Sequence, residues 1–281
     1  MKLVHTISEV REAIAEACAA GKTIGLVPTM GALHEGHITL VRNARQDNGF
    51  VGVSIFVNPT QFAPTEDLAK YPRTLEEDAE KCREAGVDVV FAPNAQEMYP
   101  EGFDCWVDVG GVTPMLEGQF RPTHFRGVAT VCLKLFNVFQ PDLAYFGRKD
   151  YQQLCVIRKM VRDLNLPLEI VPVDIVRESD GLAMSSRNRY LSAEEHKAAL
   201  CLSQSLNDAK AAFESGERSA MTIQHVVKHR LDAEPLAAID YAVVVDAETL
   251  LPLETIARPA VVLLAVRIGA TRLIDNLILT P

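Results

Sequence analysis

The sequence predicts an α/β fold: a doubly wound parallel sheet followed by a smaller C-terminal α+β domain. Three observations carry this. Short apolar runs alternate with amphipathic helical stretches over residues 1–176, the pattern of parallel strands joined by crossover helices. Two of the predicted strands feed tight turns that lead straight into helices, near residues 28–37 and 147–151. Beyond residue 176 the order becomes two helices and then three strands at hairpin spacing, which suits a separate unit. The domains are therefore placed at 1–176 and 177–281.

Taken in order, residues 7–20 have apolar side chains at helical spacing (Ile7, Val10, Ile14, Cys18), with Ser8 as the candidate cap and Gly21 as the stop. Residues 23–27 read as a buried strand ended by Pro28, and 38–45 as a helix closing near Asn48-Gly49. A second strand over 50–57 leads into a proline-containing loop over 58–73. A helix with a charged outer face follows over 75–85, then a third strand over 87–91. Residues 105–109 read as a short strand and 113–127 as a loop. A helix over 128–139, a strand over 143–146, a helix over 151–164 and a strand over 168–173 complete the first domain. The second has helices over 192–213 and 220–231, then strands over 239–245, 260–266 and 273–279.

Composition narrows the function. Of 281 residues 48% are hydrophobic, enough for a substantial core, and the formal charge is −9. That charge argues against a general nucleic-acid or membrane-surface binder but leaves room for a locally basic pocket. No apolar run is long enough to span a bilayer, and the first residues lack the apolar core of a signal peptide. Six scattered cysteines without a C-x-x-C read as reduced thiols of a cytoplasmic protein.

The densest chemistry lies at 27–40. A strand, a tight turn and a helix start aim backbone N–H groups and the helix dipole at whatever sits above the sheet. His34 and His37 share a face of the helix start, Gly31 permits the turn, and Gly36 keeps that face bare. Two imidazoles and a row of N–H groups suit a phosphate chain. Zinc would need further ligands that no neighbouring Cys or His pair supplies. Gln61 leaves the end of the second strand, where a neutral amide can hold hydroxyls or a carboxylate. Gly147-Arg148-Lys149-Asp150 leaves another strand end: Lys149 is a candidate phosphate clamp, Asp150 a candidate helix cap, and Gln153 faces the same way one turn on, while Gln152 points elsewhere. Ser185, Ser186 and Arg187 follow a bend at Gly181, and a permanent cation beside two hydroxyls fits a polyphosphate. The basic loop at 121–127 reads as a lid or an interface. Glu76, Glu77 and Asp78 suit a helix N-terminus, and Asp78 or Glu77 is also a candidate magnesium ligand. Together these read as a nucleoside triphosphate site, without a P-loop or a dinucleotide fingerprint.

Six stretches carry a family resemblance: P-T-M-G-A-L-H-E-G-H at 28–37, F-V-N-P-T-Q-F at 56–62, Y-P-R-T at 71–74, R-P-T-H-F-R-G-V at 121–128, F-G-R-K-D-Y-Q-Q-L at 146–154 and D-G-L-A-M-S-S-R-N-R-Y-L at 180–191. In this order they resemble the AMP-forming pantoate–β-alanine ligases, of the nucleotidyltransferase superfamily with its Rossmann-like fold. The resemblance implies that pantoate attacks ATP to give pantoyl adenylate and pyrophosphate, and that β-alanine then displaces AMP to give pantothenate. It implies ATP contacts from Met30, Gly31, Ala32, Leu33, His34, Glu35, Gly36 and His37. It extends them to Gly147, Arg148, Lys149, Asp150, Val176, Met184, Ser185, Ser186 and Arg187. Gln61 and Gln153 would hold pantoate, and Gln61 later β-alanine; His37, His34 and Lys149 would be catalytic. Magnesium, a homodimer, a cytoplasmic setting and no tightly bound prosthetic group are implied as well. Two other readings compete: a nucleotidyltransferase acting on a phosphorylated small molecule, which would need more Arg or Lys where Gln61 and Gln153 stand, and a non-catalytic ATP-sensing module.

Overall fold

The structure, a computed structural model, describes residues 1–63 and 68–281. Part of the loop expected over 58–73 lies outside the described residues. The chain divides into two compact units, one of Met1–Arg148 with Gln152–Asp174, the other of Lys149–Tyr151 with Ile175–Pro281. A boundary drawn at one point in the chain does not anticipate this excursion of three residues.

The first unit runs β1 (Lys2–Val4), α1 (Ile7–Ala19), β2 (Ile24–Thr29), α2 (Glu35–Asp47), β3 (Phe50–Ile55), α3 (Leu75–Glu84), β4 (Val89–Phe91), α4 (Ala95–Met98), α5 (Glu117–Phe120), α6 (His124–Phe139), β5 (Leu143–Gly147), α7 (Tyr151–Asp163) and β6 (Glu169–Val173), with Tyr151 itself grouped in the other unit. Its strands form a parallel sheet in the order β1-β4-β3-β2-β5-β6. Strand order reverses between β2 and β5, so the turns after these two strands flank the point where open α/β sheets bind ligands. Alternation sorts the two faces: Val27, Val51 and Val53 join Ile38, Val41 and Ala44 of α2 in one apolar cluster, whereas Phe139 of α6 lies against Gly52 on the other.

Several expectations change. Thr6, not Ser8, caps α1: it accepts from the Glu9 N–H, and Glu9 reaches back to the Thr6 N–H in a reciprocal box. Pro28 lies inside β2, paired with Ser54 of β3. It is tolerated because β5 pairs only at Gly25 and Leu26, so no bond on that side needs a proline N–H. Residues 105–109 form no strand; the Val107 N–H goes instead to the Thr130 hydroxyl at 3.0 Å. The loop predicted over 113–127 contains α5, and α6 begins at His124, a turn before position 128. β1 and α4 have no counterpart among the elements that the sequence pattern predicts.

The second unit contains α8 (Ala193–Glu214), α9 (Ala220–Asp232), β7 (Ala237–Asp246), β8 (Ala260–Ile268) and β9 (Thr271–Leu279). The strands form an antiparallel sheet β7-β8-β9, and its core joins Leu202, Leu206 and Ile223 of the helices to Val262, Leu264 and Val266 of the central strand. Among the described residues no helix is long and apolar enough to cross a membrane.

Candidate functional site

The turn between β2 and α2 carries the two histidines, and its hydrogen bonds can be followed residue by residue. The Gly31 N–H goes to the Thr29 hydroxyl at 3.2 Å, and those of Ala32 and Leu33 go to the Asp78 carboxylate at 2.8 and 2.7 Å. The N–H groups of His37 and Ile38 go to the His34 carbonyl. The expected row of backbone donors for a phosphate is therefore largely consumed inside the turn, and the chemistry passes to the imidazoles.

Their tautomers follow from the same bonds. His34 caps α2, and its Nδ1 accepts the Gly36 N–H at 3.1 Å; the Nδ1 of His37 accepts the His34 N–H at 3.3 Å. A nitrogen that accepts from a backbone N–H carries no proton, so each neutral ring holds its proton on Nε2. The two rings lie 4.1 Å apart between centroids, tilted by 43°. Glu35 is turned away, paired with Arg42 along the exposed side of α2.

Gln61 sits at the end of a single 3₁₀ turn, Pro59–Gln61, and is only 7% exposed. Its amide is oriented by Asn58. The Asn58 Oδ1 accepts the Thr60 N–H at 3.3 Å and the Tyr99 hydroxyl at 2.8 Å, while its Nδ2 donates at 3.1 Å to the Gly127 carbonyl and at 3.1 Å to Gln61 Oε1. Backbone groups cannot exchange donor and acceptor roles, so the Asn58 amide has one orientation, and Gln61 must present Nε2 as its remaining donor. That Nε2 reaches the Met30 sulfur at 2.9 Å, joining this loop to the histidine turn. The Gln61 carbonyl accepts from His124 Nδ1 at 3.0 Å and from Arg121 at 3.3 Å. Part of the basic loop read as a lid or an interface is thus a support for Gln61. Burial pushes the Tyr99 phenol up from its ordinary value.

At the end of β5, Gly147 is open: a Cβ there would meet nothing within 4 Å. Arg148 is paired with Asp174 at 2.9 Å. Gln153, half-buried, lies in the first turn of α7 in the same unit, and its neighbour Gln152, expected only to face elsewhere, points inward: it donates to the carbonyls of Val112 and Met115, both at 2.8 Å, and accepts the Glu117 N–H. Asp78 is enclosed and its oxygens are occupied by the turn and by Thr74, so it does not suit the magnesium role; Glu77 is exposed on α3.

The second unit holds the other charged candidates. Residues 176–184 form a hairpin in which Met184 N–H donates to the Val176 carbonyl and Gly181, at φ +98°, makes the turn. Arg177 forks onto the buried Asp275 at 2.7 and 3.0 Å and also donates to the Gly181 carbonyl. The adjacent Asn276 donates at 2.9 Å to the carbonyl of Lys149, and Tyr151 donates to that of Ala247. Two successive residues of β9 therefore anchor both the Lys149 turn and the hairpin leading to Met184, which explains why residues 149–151 group with this unit. Ser185 caps a 3₁₀ turn by accepting the Arg187 N–H at 3.2 Å, with Ser186 and Arg187 half-buried on it; Lys149 is 3.9 Å from Asp150. His196 donates to Asp180 at 2.7 Å, and this bond holds the Asp180 carboxyl below the usual range.

Sequence reasoning missed Asn58, Tyr99, Gly127, His124, Asp275 and Asn276 as supports. Asn58 and His124 lie inside the family motifs, so a search for Asn ahead of Pro or for neutral-ring donors had material to find them; Asp275 and Asn276, in the strand-like tail, gave no signal.

The family model for pantoate-beta-alanine ligase matches residues 2–278. A pantothenate synthetase of Moorella thermoacetica is 54% identical over 279 residues, covering 99% of both chains, and one from Heliobacterium modesticaldum is 54% identical over 278, again 99% of both. Among solved structures, pantothenate synthetase from Thermus thermophilus superposes with a TM-score of 0.95 at 48% identity, covering all of both chains. The pantoate-beta-alanine ligase of Francisella tularensis, complexed with beta-gamma ATP and beta-alanine, gives 0.80 at 32% identity over 99% of this chain and 97% of that one.

Proposed function

The chain belongs to the pantoate-beta-alanine ligase family, and from that membership we propose how it forms pantothenate from pantoate and β-alanine at the expense of ATP. The observation that carries the reading is the histidine turn joined to Gln61, at the carboxyl edge of the sheet beside the strand-order switch.

In the first step a pantoate carboxylate oxygen forms a bond to the α-phosphorus of ATP, and the bond from that phosphorus to the bridging oxygen breaks, releasing pyrophosphate. In the second, the amine of β-alanine attacks the acyl carbon and AMP leaves with the electron pair of the acyl–oxygen bond. Such transfers depend on positioning and on charge stabilisation more than on covalent help. His34 and His37, as neutral Nε2–H donors, bind the phosphate oxygens where charge builds on the departing pyrophosphate. Lys149 and Arg187 add permanent positive charge for the phosphates, with Ser185, Ser186 and Met184 beside Arg187 and the Val176 backbone at the adenine. Gln61 offers Nε2 to the oxygens of pantoate and then to the carboxylate of β-alanine; Gln153 holds pantoate. ATP enters as its magnesium complex, and no step passes through Asp78. The family resemblance also supports a homodimer working in the cytoplasm.

Pyrophosphate–ATP exchange tests this. Exchange that depends on pantoate is the expected result. Exchange that requires a phosphorylated substrate would make the chain a nucleotidyltransferase, and no exchange with any acceptor would leave an ATP sensor.

A further inference from the structure

The histidine turn rests on an enclosed carboxylate. Asp78, in the first turn of α3, is 0% exposed. Its Oδ2 accepts the Ala32 N–H at 2.8 Å and the Thr74 hydroxyl at 3.1 Å, and its Oδ1 accepts the Leu33 N–H at 2.7 Å. One turn further along, Lys81 donates at 2.8 Å to the Leu33 carbonyl, so α3 grips Leu33 at both its N–H and its carbonyl. The gripped segment is strained: Gly31 has φ +82° and Ala32 φ +52°, a left-handed pair in which alanine is unfavourable. A Cβ at Gly31 would stand 3.1 Å from Asp78 Oδ2, so the carboxylate also limits what can occupy the turn.

A negative charge beneath a triphosphate site has the wrong sign to help binding. Its contribution is geometric. Accepting two successive N–H groups forces the left-handed turn, and the turn fixes where Met30 and His34 emerge from it. Met30 meets Gln61, and His34 caps α2 and accepts onto its ring the Gly36 N–H. We propose that Asp78 is a positioning residue for adenylate formation, holding the Gly31–Ala32 pair so that the imidazoles reach ATP, and that it is not a metal ligand. The proposal rests on the functional reading above.

The test is Asp78→Asn, which keeps the size but sets an NH2 against one backbone N–H. The full-length variant is expected to raise KM for ATP and to lower kcat/KM for pantoate-dependent exchange, together by about 10²-fold, the scale of a misplaced reacting group. Added magnesium is expected to restore none of this. Ala32→Gly is expected to recover part of the loss in the Asp78→Asn background, measured against the Ala32→Gly single variant, because glycine adopts the left-handed turn unaided. An unchanged KM for ATP, recovery by excess magnesium, or no recovery by Ala32→Gly overturns the proposal. If Asp78→Asn does not fold, Thr74→Val decides: a raised KM for ATP supports the clamp and an unchanged one overturns it. Should the wild type itself show no pantoate-dependent exchange, the functional reading fails first. Calorimetric ATP affinities of the same variants then decide the role of Asp78, a weakened affinity supporting the clamp and an unchanged one overturning it.

Discussion

Replacing His37 with alanine lowers the rate of adenylate formation by about 10²- to 10³-fold, the scale on which losing one preorganised donor acts. The expectation follows from the ring's tautomer. His37 Nδ1 accepts the His34 N–H, so the proton is on Nε2 and a donor is ready before charge develops on pyrophosphate. A proton added at Nδ1 would face that N–H, donor against donor, so the geometry favours a neutral donor over an imidazolium that surrenders a proton. His37→Gln separates the two roles: its terminal NH2 can stand where Nε2–H does. That variant is expected to keep well above the alanine variant's rate in rapid-quench measurements of adenylate formation. Equal loss in the two would show that the ring moves a proton; normal rates in the alanine variant would remove His37 from the chemistry.

Gly127→Ala is expected to weaken pantoate binding strongly although Gly127 itself meets no substrate. A Cβ at Gly127 would stand 2.5 Å from the Thr60 carbonyl oxygen, 2.6 Å from its carbon and 2.7 Å from the Gln61 nitrogen. These are backbone atoms and cannot swing aside as a side chain would. Either α6 moves or the 3₁₀ turn does, at a cost of about 1–3 kcal/mol. The turn carries Gln61, and the Gly127 carbonyl is one of the two backbone groups that orient Asn58. Both routes to Gln61 are disturbed together. KM for pantoate is expected to rise about 10- to 100-fold, the loss of one or two hydrogen bonds, with the thermal midpoint lowered. A variant with the wild-type KM for pantoate would mean that Gln61 does not set pantoate affinity.

The sheet was legible because its central strands are buried on both faces, so 23–27 and 50–57 stand out as unbroken apolar runs between helical patterns. β1 was not, since three residues at an edge give no periodicity. Residues 105–109 alternate like a strand yet find no strand to pair with. Histidines, glutamine and basic residues could be picked out by type and by place at strand ends. What they do depends on partners far along the chain. Asp78 reaches Ala32 across 46 positions and His124 reaches Gln61 across 63. Sequence reasoning therefore assigned the turn's N–H groups to phosphate, when an acid from another helix takes two of them. The excursion of Lys149–Tyr151 into the second unit has the same origin, in Asn276 and Ala247.

The central claim is that pantoate is activated by bonding its own carboxylate oxygen to the α-phosphorus. Pantoate labelled with oxygen-18 in its carboxylate, turned over with ATP and β-alanine, tests it directly by mass spectrometry of the products. One heavy oxygen is expected in the phosphate of AMP and none in pyrophosphate. AMP without label, or label in pyrophosphate, would contradict it.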